Sequence, residues 1–274
     1  MNEDPRVAVL GCGTMGTMVA RLLVSAGITT AARVQITRRN TDLLSGMKTD
    51  GYVITSDNAA AASGSDVVMV CVEPSHIGRV LDDIRDGLDA GSQVVISMVA
   101  GFGTDQIIDR VKKPLEVVRA MPNTALRVGQ AITALSTNRP NGEGLEFAQR
   151  LFAAGGRTVQ IREEQMNGVT ALGGSGPAFF LTAVEAAIAG GVLAGLEQDQ
   201  SREIALQVMR GVIALMDQPS ARPSDEIATI VTPNGCTAAG LVQLKTSGFA
   251  EALSSAVVTA AERASELAGT GQTD

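Results

Sequence analysis

A short apolar strand, Arg6–Leu10, runs directly into the hexapeptide GCGTMG, Gly11–Gly16, and a helical pattern opens inside that hexapeptide. No other feature constrains the fold of this chain as tightly. The spacing is G-x-G-x-x-G, in the strand-to-helix setting that gives the motif its physical meaning. Gly11 permits a tight turn, Gly13 lets the backbone approach a pyrophosphate, and Gly16 lets helix and strand pack closely. The helix over Thr14–Ala26 places Met15, Val19, Leu22 and Leu23 on one side. Its first turn, at Thr14 and Met15, offers N–H groups and a dipole that favour phosphate. A glycine-rich turn alone would be weak evidence; with the surrounding β-α-β pattern it predicts a dinucleotide site.

That pattern continues along the chain. Val34–Thr37, Tyr52–Ile54, Asp66–Val72, Gln93–Ser97, Leu115–Arg119, Ala131–Leu135 and Thr158–Ile161 read as strands. Ser75–Leu88 and Glu143–Ala153 read as helices. Asp66–Val72 is almost continuously apolar, as expected of a strand covered on both faces. Repeated units of this size predict an α/β fold, an N-terminal doubly wound Rossmann domain over residues 1–162. After about Arg162 the strand signal stops. Pro177–Leu196, Gln198–Met216 and Gly248–Leu267 are helical in pattern, and the first is apolar nearly all round. A helix of that kind must be buried. The expectation for residues 163–274 is therefore an all-helical domain that dimerises. The last residues, GTGQTD, read as a frayed tail.

The 274 residues carry a net charge of −7 and are 45% hydrophobic. The acidic balance argues against a nucleic-acid partner, which needs a basic face. No apolar run reads as long enough to span a membrane, and no leader pattern precedes the first strand. Three well-separated cysteines, Cys12, Cys71 and Cys236, read as reduced thiols of a cytoplasmic protein. One histidine, His76, and one tyrosine, Tyr52, leave few proton donors and make a metal site improbable. His76, just after Pro74 at a helix start, reads as a surface or capping residue.

Strand ends supply the remaining cofactor candidates. The second strand ends in TRRNT, Thr37–Thr41. Arg38, Arg39 and Asn40 stand where an NAD site carries an acid, and guanidinium groups suit a 2′-phosphate. This predicts NADP, with NADPH preferred over NADH. CVEP (Cys71–Pro74), SMVAG (Ser97–Gly101) and RAMPNTA (Arg119–Ala125, with Asn123) end later strands, at the edge where open α/β sheets bind ligands. LGGSGPAFF, Leu172–Phe180, reads as a Gly/Ser hinge, either a connector or a point of close approach to a ligand. VTPNGCTAAGL, Val231–Leu241, reads as a loop that delivers N–H groups and the Thr237 hydroxyl to the start of a helix.

Together these residues resemble the pyrroline-5-carboxylate reductase family. RAMPNT, GGSGPA and TPNGCTAAGLVQL carry the likeness most specifically, in the family's order and spacing. The resemblance implies a Rossmann domain, a helical domain interlocked with a second subunit, and reduction of a cyclic imino acid by NADPH. It implies a homodimer or a higher homo-oligomer. By position it places Thr237 at the ring nitrogen and Thr232, Asn234, Gly235 and Cys236 around the substrate carboxylate, with Glu163 on the substrate side. It places Arg39, Asn40 and Asn58 about the 2′-phosphate, and Val72, Glu73, Met98 and Ala100 along the cofactor. Glu73 stands where the family commonly has Lys. Gly173, Ala125, Val231, Asn234 and Cys236 also depart from the usual pattern.

The composition suits imine chemistry. A protonated C=N bond brings its own proton, whereas a carbonyl reductase must protonate an alkoxide. Two alternatives stay open: a paralogue acting on a different cyclic imine, and a non-catalytic dinucleotide sensor. A β-hydroxyacid dehydrogenase would need a lysine between Glu163 and Met216, and none is there. A deazaflavin-dependent reductase shares the N-terminal pattern and leaves the TPNGCT loop without a role.

Overall fold

A computed structural model describes residues 4–270. The first part runs β1 (Val7–Leu10), α1 (Thr14–Ser25), β2 (Val34–Thr37), α2 (Ser45–Thr49), β3 (Val53–Thr55), α3 (Asn58–Ser63), β4 (Val67–Val70), α4 (Ile77–Ile84), β5 (Val94–Ser97), α5 (Thr104–Val111), β6 (Glu116–Met121), β7 (Ala131–Thr137), α6 (Glu143–Ala153) and β8 (Gly156–Gln160). The strands form one sheet in the order β3-β2-β1-β4-β5-β6-β7-β8. Strand order reverses at β1, which pairs with β2 on one side and β4 on the other. Successive residues of a strand face opposite sides of the sheet. Accordingly Val7 and Val9 join one apolar cluster, with α1 and α6, while Ala8 and Leu10 join another, with α4 and α5.

All neighbouring strands are parallel except β6 and β7. The link between those two holds only a 3-10 turn, Thr124–Val128, ended by Gly129 at φ 69°. Without a crossover helix the next strand returns antiparallel. The sequence pattern also left α2, α3 and α5 unmarked; they are short, and α3 is mostly alanine.

The chain continues through α7 (Met166–Val169), α8 (Gly176–Leu193), α9 (Gln198–Met216), α10 (Pro223–Ile230), α11 (Cys236–Thr246) and α12 (Phe249–Thr270). It divides into two compact units. One holds everything up to Ser175 and the chain from Val258; the other is Gly176–Val257. Of the Leu172–Phe180 stretch expected to be a hinge, the part up to Ser175 belongs to a π-helical turn, Thr170–Ser175, and the rest to α8. Ala171 is buried in that turn, and the Gly173 carbonyl accepts a hydrogen bond from Asn123 Nδ2 at 3.0 Å. In the second, Ser201 of α9 donates to the Ile188 carbonyl of α8 at 2.7 Å, and Gly191 leaves room for it.

Among the described residues, all exposed large hydrophobics except Leu43, Val53, Val128 and Val159 lie after Glu163. Leu193 is 90% exposed and Leu181 65%. By length and composition Glu163–Leu193 is apolar enough to cross a membrane. The expectation that no run reaches that length is thereby corrected: alanines and glycines carry little apolar bulk, yet they extend an almost uncharged segment. Of the expected frayed tail, Gly269 and Thr270 are helical, and 271–274 lie outside the described residues.

Candidate active site

The turn after β1 sits where the strand order reverses, the point at which open α/β sheets bind ligands. Gly11 has φ +84°, and a Cβ there would lie 2.3 Å from Val72 Cγ1. A Cβ on Gly16 would lie 2.7 Å from the Gly11 carbonyl oxygen. These two glycines are required by the turn and by the packing of α1 on β1. Gly13 differs, because a Cβ there would meet nothing within 4 Å. It precedes α1, whose first turn has no side-chain cap. The leading N–H groups of a helix lack intrahelical partners, so this end suits an anion.

The end of β2 holds the turn in place. Cys12 N donates to the Thr37 carbonyl at 2.7 Å, and Gly11 N to Thr37 Oγ1 at 3.2 Å. Thr37 Oγ1 donates to Asn58 Oδ1 at 2.7 Å, and Asn58 Nδ2 to Asp83 Oδ2 at 3.4 Å. Arg38 Nη1 folds back to the Cys12 carbonyl at 3.2 Å. Asn58 thus ties α3 to the end of β2.

A cleft of about 440 Å³ opens beside these groups. Gly11, Gly13, Arg38, Arg39, Asn40, Asn58, Val72 and Glu73 line it, and all were named from the sequence. Arg79, Val80 and Asp83 of α4 also line it and were not. His76 is in the wall, half exposed, with no side-chain capping bond. The Cys71 thiol, also in the wall, is pushed well up by burial, so it stays protonated. An adjoining cleft of about 380 Å³ holds Thr14, with Gly13 and Arg38 shared.

The other cofactor candidates lie elsewhere in this unit. Met15 packs against the core, and Pro74 begins a 3-10 turn before α4. Met98 is buried, and Ala100 packs against Met121, Ala134 and Met166. Asn123 is buried at the end of β6 and lines a separate cleft with Gly129–Ile132.

Glu163 has both carboxylate oxygens engaged. Arg119 Nη1 donates to Oε1 at 2.8 Å, and Ser136 Oγ to Oε2 at 2.5 Å. Arg119 is only 5% exposed and also donates to the Val99 carbonyl. A buried guanidinium needs such a counter-charge. Arg119 lay inside the RAMPNT motif, but nothing local linked it to Glu163.

In the second unit, Gly235 N donates to the Thr232 carbonyl at 3.0 Å, and Asn234 has φ 57°. Pro233 followed by a left-handed Asn234 is the signature of a type II turn. That turn delivers Gly235 to the start of α11. Thr237 is half buried on the first turn of α11, and among the described residues its hydroxyl has no hydrogen-bond partner. Thr232, Asn234 and Cys236 are exposed.

A doubly wound sheet with an open glycine turn and guanidinium groups beyond its second strand defines a Rossmann-type dinucleotide oxidoreductase. Residues 163–267 match the pyrroline-5-carboxylate reductase dimerisation family, and residues 6–101 match the family described as NADP oxidoreductase coenzyme F420-dependent. The chain belongs to the pyrroline-5-carboxylate reductase family.

The chain is 35% identical to pyrroline-5-carboxylate reductase 1 of Dictyostelium discoideum over 96% of its own length, spanning half of that relative. It is 32% identical to the Corynebacterium melassecola enzyme, over 95% of this chain and 98% of that one. The pyrroline carboxylate reductase of Plasmodium falciparum, a crystal structure with NADP bound, superposes with a TM-score of 0.89 at 25% identity, covering 98% of this chain and 100% of that one.

Proposed function

We propose that this chain reduces 1-pyrroline-5-carboxylate to L-proline with NADPH. The observation that carries the reading is the end-to-end likeness to the Corynebacterium enzyme. The geometry agrees with the cofactor. Gly13 leaves open space beside a helix N-terminus, and Arg39 lines the same cleft with no partner among the described residues. The Gly11–Gly16 turn would hold the pyrophosphate, and Arg38, Arg39 and Asn40 the 2′-phosphate, with Asn58 bonded to Thr37 beside them. That arrangement favours NADPH over NADH.

When bound, NADPH supplies a hydride to the ring carbon double-bonded to nitrogen. The protein's own part is to bind, orient and keep out water. Thr232, Asn234, Gly235 and Cys236 form the carboxylate cradle, with N–H groups at the start of α11. The Thr237 hydroxyl, free of other partners, hydrogen-bonds the ring nitrogen and fixes which face is presented. Glu163 acts as support on the substrate side, holding Arg119. The iminium already bears its proton, so no acid is drawn from the protein.

The exposed apolar faces after Glu163 are covered by a second copy in a homodimer, with larger homo-oligomers built from it. That accounts for Glu163–Leu193 without a membrane. Unpaired cysteines suit the cytoplasm. A panel of cyclic imino acids assayed with NADPH and NADH tests the reading: turnover should be highest with the five-membered acid and NADPH. A preference for a six-membered imine would identify a paralogue, and binding without turnover a sensor.

A further inference from the structure

Glu73 places a carboxylate in the wall of the cofactor cleft. In this structure its carboxylate is 81% exposed, and its nearest basic group is the His76 imidazole, 3.9 Å away. Arg79, on the first turn of α4, lines the same cleft. Among the described residues it has no hydrogen-bond or ion-pair partner. Arg39 is equally unpartnered and lines the cleft from beyond the end of β2, whereas α4 follows β4, on the other side of β1. Arg38 is not free in this way, being bonded to the Cys12 carbonyl, and the His76 imidazole lies beside Glu73.

We propose that Arg79 is a specificity-determining residue: with Arg39, which lines the same cleft, it grips the cofactor's 2′-phosphate. A phosphomonoester carries close to two negative charges at neutral pH and three acceptor oxygens. One guanidinium fork does not use them all, so a second has a ligand to meet. An Arg79 kept free of the nearby acids Glu73 and Asp83 is available for it. The inference rests on the reading of this cleft as an NADPH site.

The test is calorimetric titration of wild type, Arg79→Ala, Arg39→Ala and the double variant with NADPH and NADH, and with adenosine 2′-monophosphate and adenosine 5′-monophosphate. For wild type, both 2′-phosphorylated ligands should bind more tightly than their counterparts; equal binding would overturn the NADPH reading itself. Arg79→Ala should weaken the 2′-phosphorylated pair about five- to tenfold, since the residue is exposed and partly screened. The other pair should change less than twofold, and the double variant should lose discrimination. Arg79 is a surface residue, so melting temperatures should hold. Equal weakening of both pairs would mean that Arg79 stacks on the adenine instead, and no change would mean that it is a solvated charge; either result overturns the inference.

Discussion

Glu163→Gln separates support of the site from contact with substrate. The change keeps the shape of the side chain and removes its charge. Arg119 is 5% exposed and would lose the anion 2.8 Å from Nη1. Removing one partner of a fully buried pair costs about 3–5 kcal/mol. Glu163 is 34% exposed, and Gln still offers Arg119 an acceptor, so screening brings the expected loss to about 2 kcal/mol. For a chain of this size that is a fall in Tm of about 4–8 °C. Calorimetric melting gives the stability, and steady-state kinetics on the same preparation gives KM for the imino acid. Stability should fall while KM changes less than about threefold. Arg119→Met combined with Glu163→Leu should recover most of the loss, because no lone charge is then buried. An unchanged Tm with a KM raised tenfold or more would instead put the Glu163 carboxylate on the substrate.

Thr237→Val should lower kcat/KM roughly ten- to a hundredfold, the worth of one hydrogen bond to a charged group. Because the hydroxyl caps nothing among the described residues, Tm should hold; a lower Tm with intact kinetics would make Thr237 structural. Gly13→Ala should leave Tm unchanged and weaken NADPH binding measured by fluorescence titration, since the added methyl meets only open space. Gly11→Ala should instead lower Tm, because φ +84° and Val72 both oppose a Cβ. Asp82 is held below the usual carboxylate range by its hydrogen bond from Arg110. Its contribution is present above the ordinary Asp range and is lost as pH falls through the lowered value. Acid unfolding of Asp82→Asn should show a smaller loss over that window, by less than about 1 kcal/mol for a partly exposed pair.

The sheet was largely legible because its signals are local. Continuous apolar runs at β1, β4 and β5, and the Gly11–Gly16 spacing, are read within a few residues. The direction of β7 was not, because it depends on a crossover helix that is absent. The Gly/Ser composition of Leu172–Phe180 suggested a break, yet its backbone is held by the Asn123 bond to Gly173, fifty positions away in sequence. The Arg119–Glu163 pair spans 44 residues and has no local signature. An exposed arginine such as Arg79 on an amphipathic helix reads as a solubilising charge until the cleft beside it is seen. The TPNGCT turn was legible in outline, since Pro, Asn and Gly each have one conformational use there.

Hydride delivery from NADPH to the C=N carbon of pyrroline-5-carboxylate can be followed by isotope transfer. NADPH deuterated at its transferring carbon would be supplied with the imino acid, and the product analysed by mass spectrometry and NMR. The expected product is L-proline with one deuterium per NADPH consumed, on the ring carbon formerly double-bonded to nitrogen, formed at a reduced rate in Thr237→Val. Proline without deuterium, or NADPH bound and never oxidised in the presence of the imino acid, would contradict that hydride delivery.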